Sequence, residues 1–267
     1  MAVLRRKAIR RGKEIVHEPT NRGRMIYLNG DPHGDYSRLW EFARSEIGKK
    51  MTKKDFVILL GDVNVCPQTL EQIRGLGQLP FTVLFLDGNH EHFPLLESMP
   101  QDTLYGGRVH DLGGVYHLQR GEIFALPTGQ GSVTVAVCGG GDSRDKDRRT
   151  AGVDWFAEEE IGECDVQRLR ENAQRFDNRV DYFLSHVMSS ALKMERATEY
   201  AYKSSLATDA FKMGPSEYRI RDIVGFLQAK AYFCGHEHID ATFDFMGKRF
   251  CAVYQRFVKL DGFEEQS

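Results

Sequence analysis

Apolar runs alternate with stretches of helical periodicity over the first hundred residues. Three runs are each about one strand long and consist mainly of apolar residues: 24–29, 55–60 and 81–86. Between them, apolar residues recur at every third or fourth position, which is typical of amphipathic helices. An unbroken apolar run indicates a strand that is buried on both faces. The pattern therefore predicts the order strand, helix, strand, helix, strand, as in an α/β sheet.

The limits of the helices are predicted from local residue types. Ser37 is expected to cap the first helix and Gly48 to end it, while Pro67 is expected to open the second. Later in the chain, Asp165 is expected to cap a long helix. Pro215 is expected to open the last one, because proline is favoured in the first turn of a helix.

The pattern changes after residue 96. Short apolar segments punctuated by glycine at 109–118, 122–126 and 133–138 predict hairpins and a second sheet. Four further strands are predicted at 180–184, 231–234, 241–246 and 249–253, of which the last two form a hairpin. Residues 188–214 fit a helix followed by a long loop. The whole pattern indicates a mixed α/β (α+β) chain with two sheets.

Length and composition are those of an ordinary globular protein. The 267 residues are 41% hydrophobic and 28% charged, which is enough for a sizeable core without crosslinks. The formal net charge of -2 gives no overall field that would favour nucleic acid or an anionic membrane. No apolar run approaches the roughly 18 residues of a membrane span, so no membrane contact is expected.

Cysteine usage and the amino terminus bear on localisation and domain organisation. The five cysteines are scattered without CxxC spacing, and most are expected to be reduced core residues of a cytoplasmic protein. Residues 1–23 are basic and lack the apolar segment of a signal peptide. They are interpreted as an extension that is solvated, forms an edge strand or contacts a polyanionic partner. One domain is predicted over residues 24–267.

Polar side chains follow five of the predicted strands directly. They are Asp31 with His33, Asp62, Asn89 with His90, His186, and His236 with His238. One such group alone has little meaning, because a single buried histidine is usually part of a core. All five groups, however, follow the same end of their strands. They are expected to meet at one edge, where open α/β sheets bind their ligands.

These residue types indicate a metal site. Carboxylate, imidazole and carboxamide ligands without thiolates suit Mn, Fe, Zn or similar divalent ions, and there are enough ligands for two. Two ions about 3.5 to 4 Å apart need a bridging ligand, for which Asp62 is the natural candidate. Such a pair can bind a phosphoryl group and hold a hydroxide nucleophile. His90 is expected to give a proton to the leaving alkoxide.

The polar motifs, in their order along the chain, resemble those of the calcineurin-like metallophosphoesterases. The motifs are Gly30-Asp31-Pro32-His33-Gly34, Gly61-Asp62-Val63-Asn64, Gly88-Asn89-His90-Glu91, Ser185-His186 and Gly235-His236-Glu237-His238. The resemblance covers about residues 24 to 258. The stretch from Asp87 through Phe93 and the glycine run 139–141 are further similar to a group of small bacterial and phage-borne members.

The resemblance implies a fold and a set of roles. The fold is a four-layer αββα sandwich of two mixed β-sheets flanked by helices. One metal would be held by Asp31, His33, Asp62 and His238, and the other by Asp62, Asn89, His186 and His236. His90 would be the catalytic imidazole. Asp35 and Glu91 would be carboxylates that orient metal-bound histidines.

The chain departs from the protein serine/threonine phosphatase branch at one motif. That branch has Asp-Arg-Gly after its Gly-Asp motif, whereas this chain has Val65-Cys66-Pro67 there. The carboxylate that would orient His90 and the arginine that would bind phosphate are therefore both missing.

Phosphate binding is left to other residues, for which Asn64, His92 and Arg144 are the candidates. Each also has an ordinary structural interpretation: a turn residue, a helix cap and a solvated loop arginine, respectively. The glycine run 139–141 is interpreted as a tight turn, since no Lys-Ser/Thr follows it as in a phosphate-binding loop.

Three functions are weighed on this basis. The preferred one is a dinuclear metal-dependent phosphoesterase that hydrolyses phosphate mono- or diesters by attack of a metal-bridging hydroxide. A non-catalytic scaffold for protein interaction has no need of a full ligand set with His90 intact. A nuclease is not favoured, because the net charge is -2 and no basic aromatic groove is evident, although the basic amino terminus keeps nucleic acid possible.

Overall fold

The structure is a computed structural model that describes residues 24–195, 213–260 and 263. The predicted basic extension, residues 1–23, lies outside the described residues, as does most of the predicted long loop before residue 214. The single domain expected over 24–267 stays a prediction.

The first sheet has four parallel strands at its centre. They are β1 (Ile26–Asn29), β2 (Phe56–Leu59), β3 (Thr82–Phe85) and β6 (Val115–Leu118). The outer strands pair antiparallel with their neighbours: β4 (Gln101–Leu104), β5 (Gly107–Asp111) and β13 (Val258–Lys259). The order is β13-β1-β2-β3-β6-β5-β4.

The second sheet is also mixed. Its parallel strands are β8 (Gly131–Cys138), β9 (Arg179–Ser185), β10 (Gln228–Cys234) and β12 (Lys248–Ala252). At its edges, β7 (Ile123–Thr128) and β11 (Ala241–Phe245) pair antiparallel with their neighbours. The order is β11-β12-β10-β9-β8-β7, and β11 with β12 forms the predicted hairpin.

Helices cover the outer face of each sheet. The described α-helices are α1 (Ser37–Arg44), α2 (Leu70–Gly75), α3 (Phe93–Glu97), α4 (Glu163–Gln174), α5 (Ser190–Glu195) and α6 (Pro215–Phe226). Short 3-10 turns lie at Gly48–Lys50, Leu76–Gln78, Lys146–Arg148 and Ala157–Glu159. Helices α1 to α3 pack on the first sheet, and α4 with α6 pack on the second.

Three separate apolar clusters show that the molecule has four layers. The middle cluster joins the two sheets, with Ile58 of β2 and Phe233 of β10 among its members. The alternate residues of the same strands face outward, so that Val57 packs with the helices of the first sheet. The third cluster lies between the second sheet and its helices. The expected four-layer sandwich of two mixed sheets is confirmed.

Several local predictions are wrong, for identifiable reasons. Residues 109–118 form two antiparallel strands in the first sheet, because Gly113 and Gly114 adopt positive φ and turn the chain between them. Helix α1 ends at Arg44, so Gly48 belongs to a separate 3-10 turn. Helix α2 begins at Leu70, because a hydrogen-bonded turn from Cys66 separates it from Pro67.

The predicted helix caps also differ from the structure. Ser37 is the first residue of α1, and its backbone N–H donates to the Asp35 carboxylate. Asp165 lies inside α4, where its carboxylate accepts from the N–H of Gly162 at 3.0 Å. In both cases a carboxylate satisfies a free N–H of the first turn, but from a different position than predicted. The opening of α6 by Pro215 is confirmed.

The register of the parallel strands aligns their carboxyl ends. In the first sheet, Asn29 pairs with Leu59, and Leu59 pairs with Phe85. In the second sheet, Ser185 pairs with Cys234. The loops that follow these strands therefore leave both sheets at one edge of the sandwich.

Candidate metal centre and active site

The seven predicted metal ligands converge at this edge. Five of them line a cleft of about 600 Å³: His33, Asp62, Asn89, His236 and His238. The other two, Asp31 and His186, lie beneath the cleft and are almost fully buried. The structure therefore brings together residues that are as much as 207 positions apart, from Asp31 to His238.

Asp62 lies at the centre of the group. Its Oδ2 atom is 3.6 Å from Nε2 of His33, and its Oδ1 atom is 3.3 Å from Nε2 of His186. Two sets of donor atoms lie within 4.8 Å of one another, and Asp62 belongs to both: His33, Asp62 and His90, and Asp62, His186 and His236. The two carboxylate oxygens thus face two different groups of ligands.

Two pairs of histidine rings bring their nitrogen atoms close together, as donors to a common ion would be. Nε2 of His33 is 2.9 Å from Nε2 of His238, and Nε2 of His186 is 3.2 Å from Nδ1 of His236. Nδ1 of His186 donates to the carbonyl of Leu60 at 2.7 Å. In the neutral ring, which a metal requires, this bond leaves the lone pair of His186 on Nε2, which lies 3.2 Å from Asn89 Oδ1. A backbone carbonyl that fixes the ring in this way is typical of metal-binding histidines.

Unpartnered buried atoms test whether these residues fit a metal ion. Oδ2 of Asp31 and Nε2 of His236 are buried and have no hydrogen-bond partner among the residues that the structure describes. Buried polar atoms are nearly always paired, so such atoms point to a ligand. The donor set of carboxylate, imidazole and amide oxygen suits a divalent ion. The residues therefore fit the metal that the sequence predicted.

Electrostatics favour a cation in the same place. Burial lowers the pKa of His33, His236 and His238, which keeps these rings neutral, as metal ligands must be. Burial raises the pKa of Asp31 to about 8. Burial also opposes charge on His186, but the carboxylates of Asp62 and Asp31 outweigh it and raise its pKa to about 10. Buried carboxylates whose charge needs a positive partner are thus concentrated at this point.

Many of the candidate ligands have an unusual backbone conformation. Five of the seven adopt the left-handed region, with φ between 42° and 62°: Asp31, His33, Asp62, His236 and His238. Non-glycine residues rarely occupy this region, although Asp, Asn and His are enriched there. Such conformations cluster at functional sites, where surrounding structure enforces them. Each loop turns sharply at the strand end and directs its side chain into the cleft.

At two positions in the motifs, a neighbouring side chain comes so close to the backbone that only glycine fits. A Cβ atom on Gly61, whose φ is +100°, would lie 2.2 Å from Nδ1 of His186. A Cβ atom on Gly88 would lie 2.1 Å from Oδ1 of Asp62. Any larger residue at either position would displace a candidate ligand, which explains why glycine comes just before Asp62 and Asn89.

His90 lies at the rim of the cleft and contacts an arginine. Its backbone N–H donates to Oδ1 of Asp62 at 3.1 Å, and its ring centroid is 5.1 Å from that of His33. The guanidinium of Arg149 lies within hydrogen-bond distance of the ring, and Asp145 binds the same guanidinium at 2.8 Å. Burial, and after it the charge of Arg149, lower the pKa of His90, while Asp62 raises it.

Arg144 enters the cleft rather than the solvent. Its side chain is only 16% exposed, so a solvated loop position does not describe it. Both of its Nη atoms are buried and have no hydrogen-bond acceptor among the described residues, and the Glu237 carboxylate is 3.8 Å away. A guanidinium with free donors in a cleft is suited to binding phosphoryl oxygens.

The other two candidate phosphate contacts lie away from this cleft. His92 caps α3, since its Nδ1 accepts from the N–H of Leu95 at 3.1 Å, which agrees with its interpretation as a helix cap. Asn64 adopts a positive φ of 65° in a turn. Both line a second cavity on the other side of His90.

The two carboxylates expected to orient histidines make different contacts. Glu91 is buried and accepts from the N–H groups of Val63, at 2.8 Å, and Val65, at 2.5 Å. It therefore fixes the backbone of the loop that follows Asp62. Asp35 accepts from Ser37 at the start of α1. Among the described residues, both carboxylates bind backbone N–H groups, and Asp35 also binds the Ser37 side chain, which corrects the expectation that they orient histidines.

The glycine run 139–141 is not a phosphate cradle. The N–H of Gly140 donates to the carbonyl of Asp87 at 2.8 Å, and that of Gly141 donates to the carbonyl of Glu159 at 2.9 Å. These donors are thus used to tie the end of β8 to neighbouring segments, as expected for a tight turn.

Sequence reasoning missed three residues that support the site. They are Arg149, Arg38 and Ser143. Arg38 on α1 donates to the carbonyls of Gly30 and Asp31, both at 3.0 Å, and so fixes the first ligand loop. Ser143 accepts from the Asn89 amide at 3.1 Å, which orients its oxygen toward His186. The density of arginines between residues 144 and 149 was the available signal for Arg149.

Asp87, two residues before Asn89, fixes the start of the loop that carries this candidate ligand. Its carboxylate contacts His117 Nε2 at 3.0 Å and accepts from Arg120 Nε at 2.7 Å. His117 in turn contacts His110, with 3.1 Å between their Nδ1 atoms. Burial opposes charge on Asp87, but the Arg120 guanidinium and His117 hold its pKa below the usual range.

The sequence profile of the calcineurin-like phosphoesterase family matches residues 25–240. The chain belongs to that family. It is accordingly a phosphoric ester hydrolase, and its family relies on divalent metals of the kind that this ligand set fits.

Solved structures show only distant similarity to this phosphoesterase. One is phosphopantetheinyl hydrolase from Mycobacterium tuberculosis, with 16% identity and a TM-score of 0.47 over 88% of this chain and 91% of that one. Another is a predicted phosphoesterase from Streptococcus pneumoniae, with 12% identity and a TM-score of 0.27 over 86% of this chain and 71% of that one. Neither is similar enough to carry an argument about substrate. No curated protein sequence shows significant similarity to the chain.

Two expectations about the rest of the chain can be compared with the structure. All five cysteines are free, and Cys138, Cys234 and Cys251 are buried, as expected. Among the described residues, no helix is both long and apolar enough to cross a membrane.

Proposed function

We propose that this phosphoesterase is a dinuclear hydrolase of phosphate mono- or diesters. One divalent ion (Mn, Fe, Zn or similar) would be held by Asp31, His33, Asp62 and His238, and a second by Asp62, Asn89, His186 and His236. The observation that supports two sites is the position of Asp62, whose two oxygens face two separate groups of donors. When bound, such an ion pair makes water nucleophilic at neutral pH and binds phosphoryl oxygens.

The leaving alcohol needs a proton, and we assign its supply to His90. It lies at the rim of the cleft, beside His33 and hydrogen-bonded through its backbone to Asp62. An imidazole in this position can donate to an oxygen that departs from the phosphorus atom. Because its neighbour Asn89 points inward and His90 points to the rim, adjacent residues serve as ligand and acid.

Arg149 sets the condition under which His90 becomes an acid. One Nη atom of Arg149 is equally close to both ring nitrogens of His90, and a guanidinium only donates hydrogen bonds, so this contact favours the neutral ring over one that is protonated on both nitrogens. Phosphate oxygens are stronger acceptors for a guanidinium than a neutral ring is. Substrate would therefore draw Arg149 away from His90, and the negative phosphoryl group would favour the protonated ring.

Arg144 provides the second cationic contact to the phosphoryl group. Its Nη atoms have no hydrogen-bond acceptor in the described part of the chain, and Arg144 lines the same cleft as Asn89 and His236. Arg144 and Arg149 together would replace the arginine that is missing beside Asp62. Asn64 and His92 would contact the part of the substrate that extends beyond His90, because both line the cavity on that side.

Hydrolysis of chromogenic esters tests this proposal. Metal-analysed protein should hydrolyse p-nitrophenyl phosphate or bis(p-nitrophenyl) phosphate with Mn²⁺, and chelation should abolish the reaction. Two metal equivalents per chain are expected at saturation. The absence of activity on both ester classes with Mn²⁺, Fe²⁺ and Zn²⁺ would refute the proposal, and one equivalent would refute the dinuclear part.

A further inference from the structure

A second cavity adjoins the metal cleft at two residues. Its volume is about 650 Å³, close to that of the cleft itself. His90 and Arg149 line both spaces and therefore form the wall between them. The other side of this second cavity is formed by Asn64, Cys66, His92, Val153 and Phe156. It is hereafter called the His92 cavity.

The geometry of an in-line displacement indicates that the leaving alcohol lies on the side of the His92 cavity. In an in-line displacement, the leaving oxygen departs on the side opposite the nucleophile. A general acid must lie within hydrogen-bond distance of that oxygen. Since His90 is the proposed acid and forms the wall between the two spaces, the alcohol that carries the leaving oxygen continues past His90 into the His92 cavity.

The lining of the His92 cavity favours a neutral ring system. The Phe156 ring packs against His92 with 4.7 Å between centroids, and Val153 is 66% exposed on the same wall. Among the described residues that line this cavity, Arg149 is the single Arg or Lys. Asp154 and Glu91, on the other hand, add two carboxyl groups. A second anionic group would meet little positive charge there, whereas a flat apolar ring would be in contact with aromatic and aliphatic surface.

The size of the cavity favours a large alcohol over a very small one. Ligand-binding cavities for drug-sized molecules have volumes of roughly 300 to 1,000 Å³, and 650 Å³ lies in that range. A small alcohol such as glycerol would leave most of this space filled with water and would gain little from its apolar wall.

We propose that the His92 cavity binds the alcohol portion of the substrate, and that the substrate is an ester of phosphate with a large, neutral, ring-bearing alcohol. The inference rests on the proposed function, because it uses the phosphoryl group in the metal cleft and His90 as the acid. It adds the chemical class of the leaving group.

A reagent attached to the Cys66 sulfur would fill the His92 cavity. It lines the cavity and is partly exposed, whereas Cys138, Cys234 and Cys251 are buried. Cys164 is exposed at a different site, so the experiment uses the Cys164→Ser variant as its background. A bulky maleimide on Cys66 would then occupy the cavity. A thiomethyl group on the same sulfur is the matched small control.

The measurement compares two substrates whose leaving groups have similar acidity but different size. Phenyl phosphate and 2-naphthyl phosphate serve, with Mn²⁺ present. The extra ring buries about four more carbons, so kcat/KM should favour the naphthyl ester by about tenfold or more. Labelling with the maleimide should bring this ratio close to one, and the thiomethyl group should preserve it. The Val153→Trp substitution should also lower the ratio, because Val153 lines the same cavity.

Specific outcomes separate this inference from the proposed function. Equal kcat/KM values for the two esters before labelling would overturn the inference, as would a ratio that survives complete labelling. An equal loss of both rates on labelling would also overturn it. In the Cys66→Ser variant, the reagent should leave the ratio unchanged, which assigns the effect to this sulfur. If neither of these monoesters nor bis(p-nitrophenyl) phosphate is hydrolysed with Mn²⁺, Fe²⁺ or Zn²⁺, the proposed function itself fails.

Discussion

One Nη atom of Arg149 lies 3.2 Å from both ring nitrogens of His90. The guanidinium also binds Asp145, four residues earlier in the same loop, and its side chain is only 11% exposed. An arginine from a loop distant in sequence thus contacts His90, whereas Val65 and Cys66 follow the Asp62 motif in place of the Asp-Arg pair of protein phosphatases. The cation reaches the site from another part of the fold.

Replacement of Arg149 should reduce turnover and shift the pH profile. Arg149→Ala removes a donor to the phosphoryl group, so kcat/KM should fall by about 10²- to 10³-fold, as when an oxyanion-binding donor is removed. The charge of Arg149 lowers the pKa of His90, so its removal raises that pKa. Activity that needs protonated His90 is lost as the pH rises through this pKa, and that limb should move to higher pH. A limb that does not move would show that Arg149 acts on the substrate alone.

The His90→Ala variant should separate proton transfer from metal binding. We expect its metal content to stay near that of the wild type, while kcat falls by about 10²- to 10⁴-fold. The loss should be greatest for alcohols of high pKa, which leave poorly without a proton. His186→Ala, by contrast, should lose metal, since His186 is placed among the ligands. Loss of metal in His90→Ala, measured by elemental analysis, would make His90 a ligand, as its position beside His33 and Asp62 allows.

The Gly61→Ala substitution should weaken metal binding without replacing a ligand. The added Cβ would lie 2.2 Å from His186, and alanine is strained at a φ of +100°. Displacement of an orienting contact in a metal site costs about 10- to 100-fold in affinity, and metal titration would measure it. Gly75→Ala in α2 is the control, because no described atom outside its own helix turn lies within 4 Å of the new Cβ. Equal metal affinity in the two variants would contradict this account.

Lys193 should be important for stability because it is buried between two acids. It is 0% exposed, and its Nζ atom lies 2.9 Å from Glu217 and 3.2 Å from Glu237. Lys193→Met leaves both carboxylates in the interior, so the free energy of unfolding should fall by about 3 to 5 kcal/mol. Lys230→Met breaks an exposed pair with Asp181 and should cost at most about 1 kcal/mol. Denaturant titration of both variants measures these losses. Equal losses of unfolding free energy would contradict this role of Lys193.

The stability of the protein should depend on pH partly through His110. Burial, and then the neighbouring His117, lower the pKa of His110 to about 4, whereas an unfolded histidine has a pKa of about 6.5. Between these values the unfolded chain binds a proton that the folded chain does not, so stability is lost as the pH falls from about 6.5 toward 4. In His110→Gln, the loss of stability between pH 7 and pH 5 should be smaller. The same loss in both proteins, measured by urea denaturation, would contradict this role.

The positions of the candidate ligands could be predicted because they follow strands. A buried strand appears as an apolar run, and parallel strands bring their carboxyl ends to one edge. Asp31, Asp62 and Asn89 could therefore be placed together from the first three runs alone. Helix limits were predicted less well, as Ser37 and Asp165 show, because several nearby polar residues can satisfy the same free N–H groups.

Contacts between distant loops could not be predicted. Nothing in the local sequence of Arg149 distinguishes it from Arg148, which is exposed, since only the path of the loop decides which of them faces His90. The same holds for Arg144, whose charged neighbours suggest solvent. Glu91 looked like an orienting carboxylate, but the tertiary fold directs it to the backbone of Val63 and Val65.

The sequence by itself determined the two sheets, the strand ends and the residue types gathered there, because burial periodicity and glycine spacing are local properties of the chain. It also carried the ordered motifs of the calcineurin-like phosphoesterases. Only the tertiary structure decided that Asp62 faces two groups of donors, that five ligands adopt left-handed backbone, and that Arg149 divides the cleft from the His92 cavity. These features depend on how loops from both sheets pack against one another, and that packing is set by the whole fold.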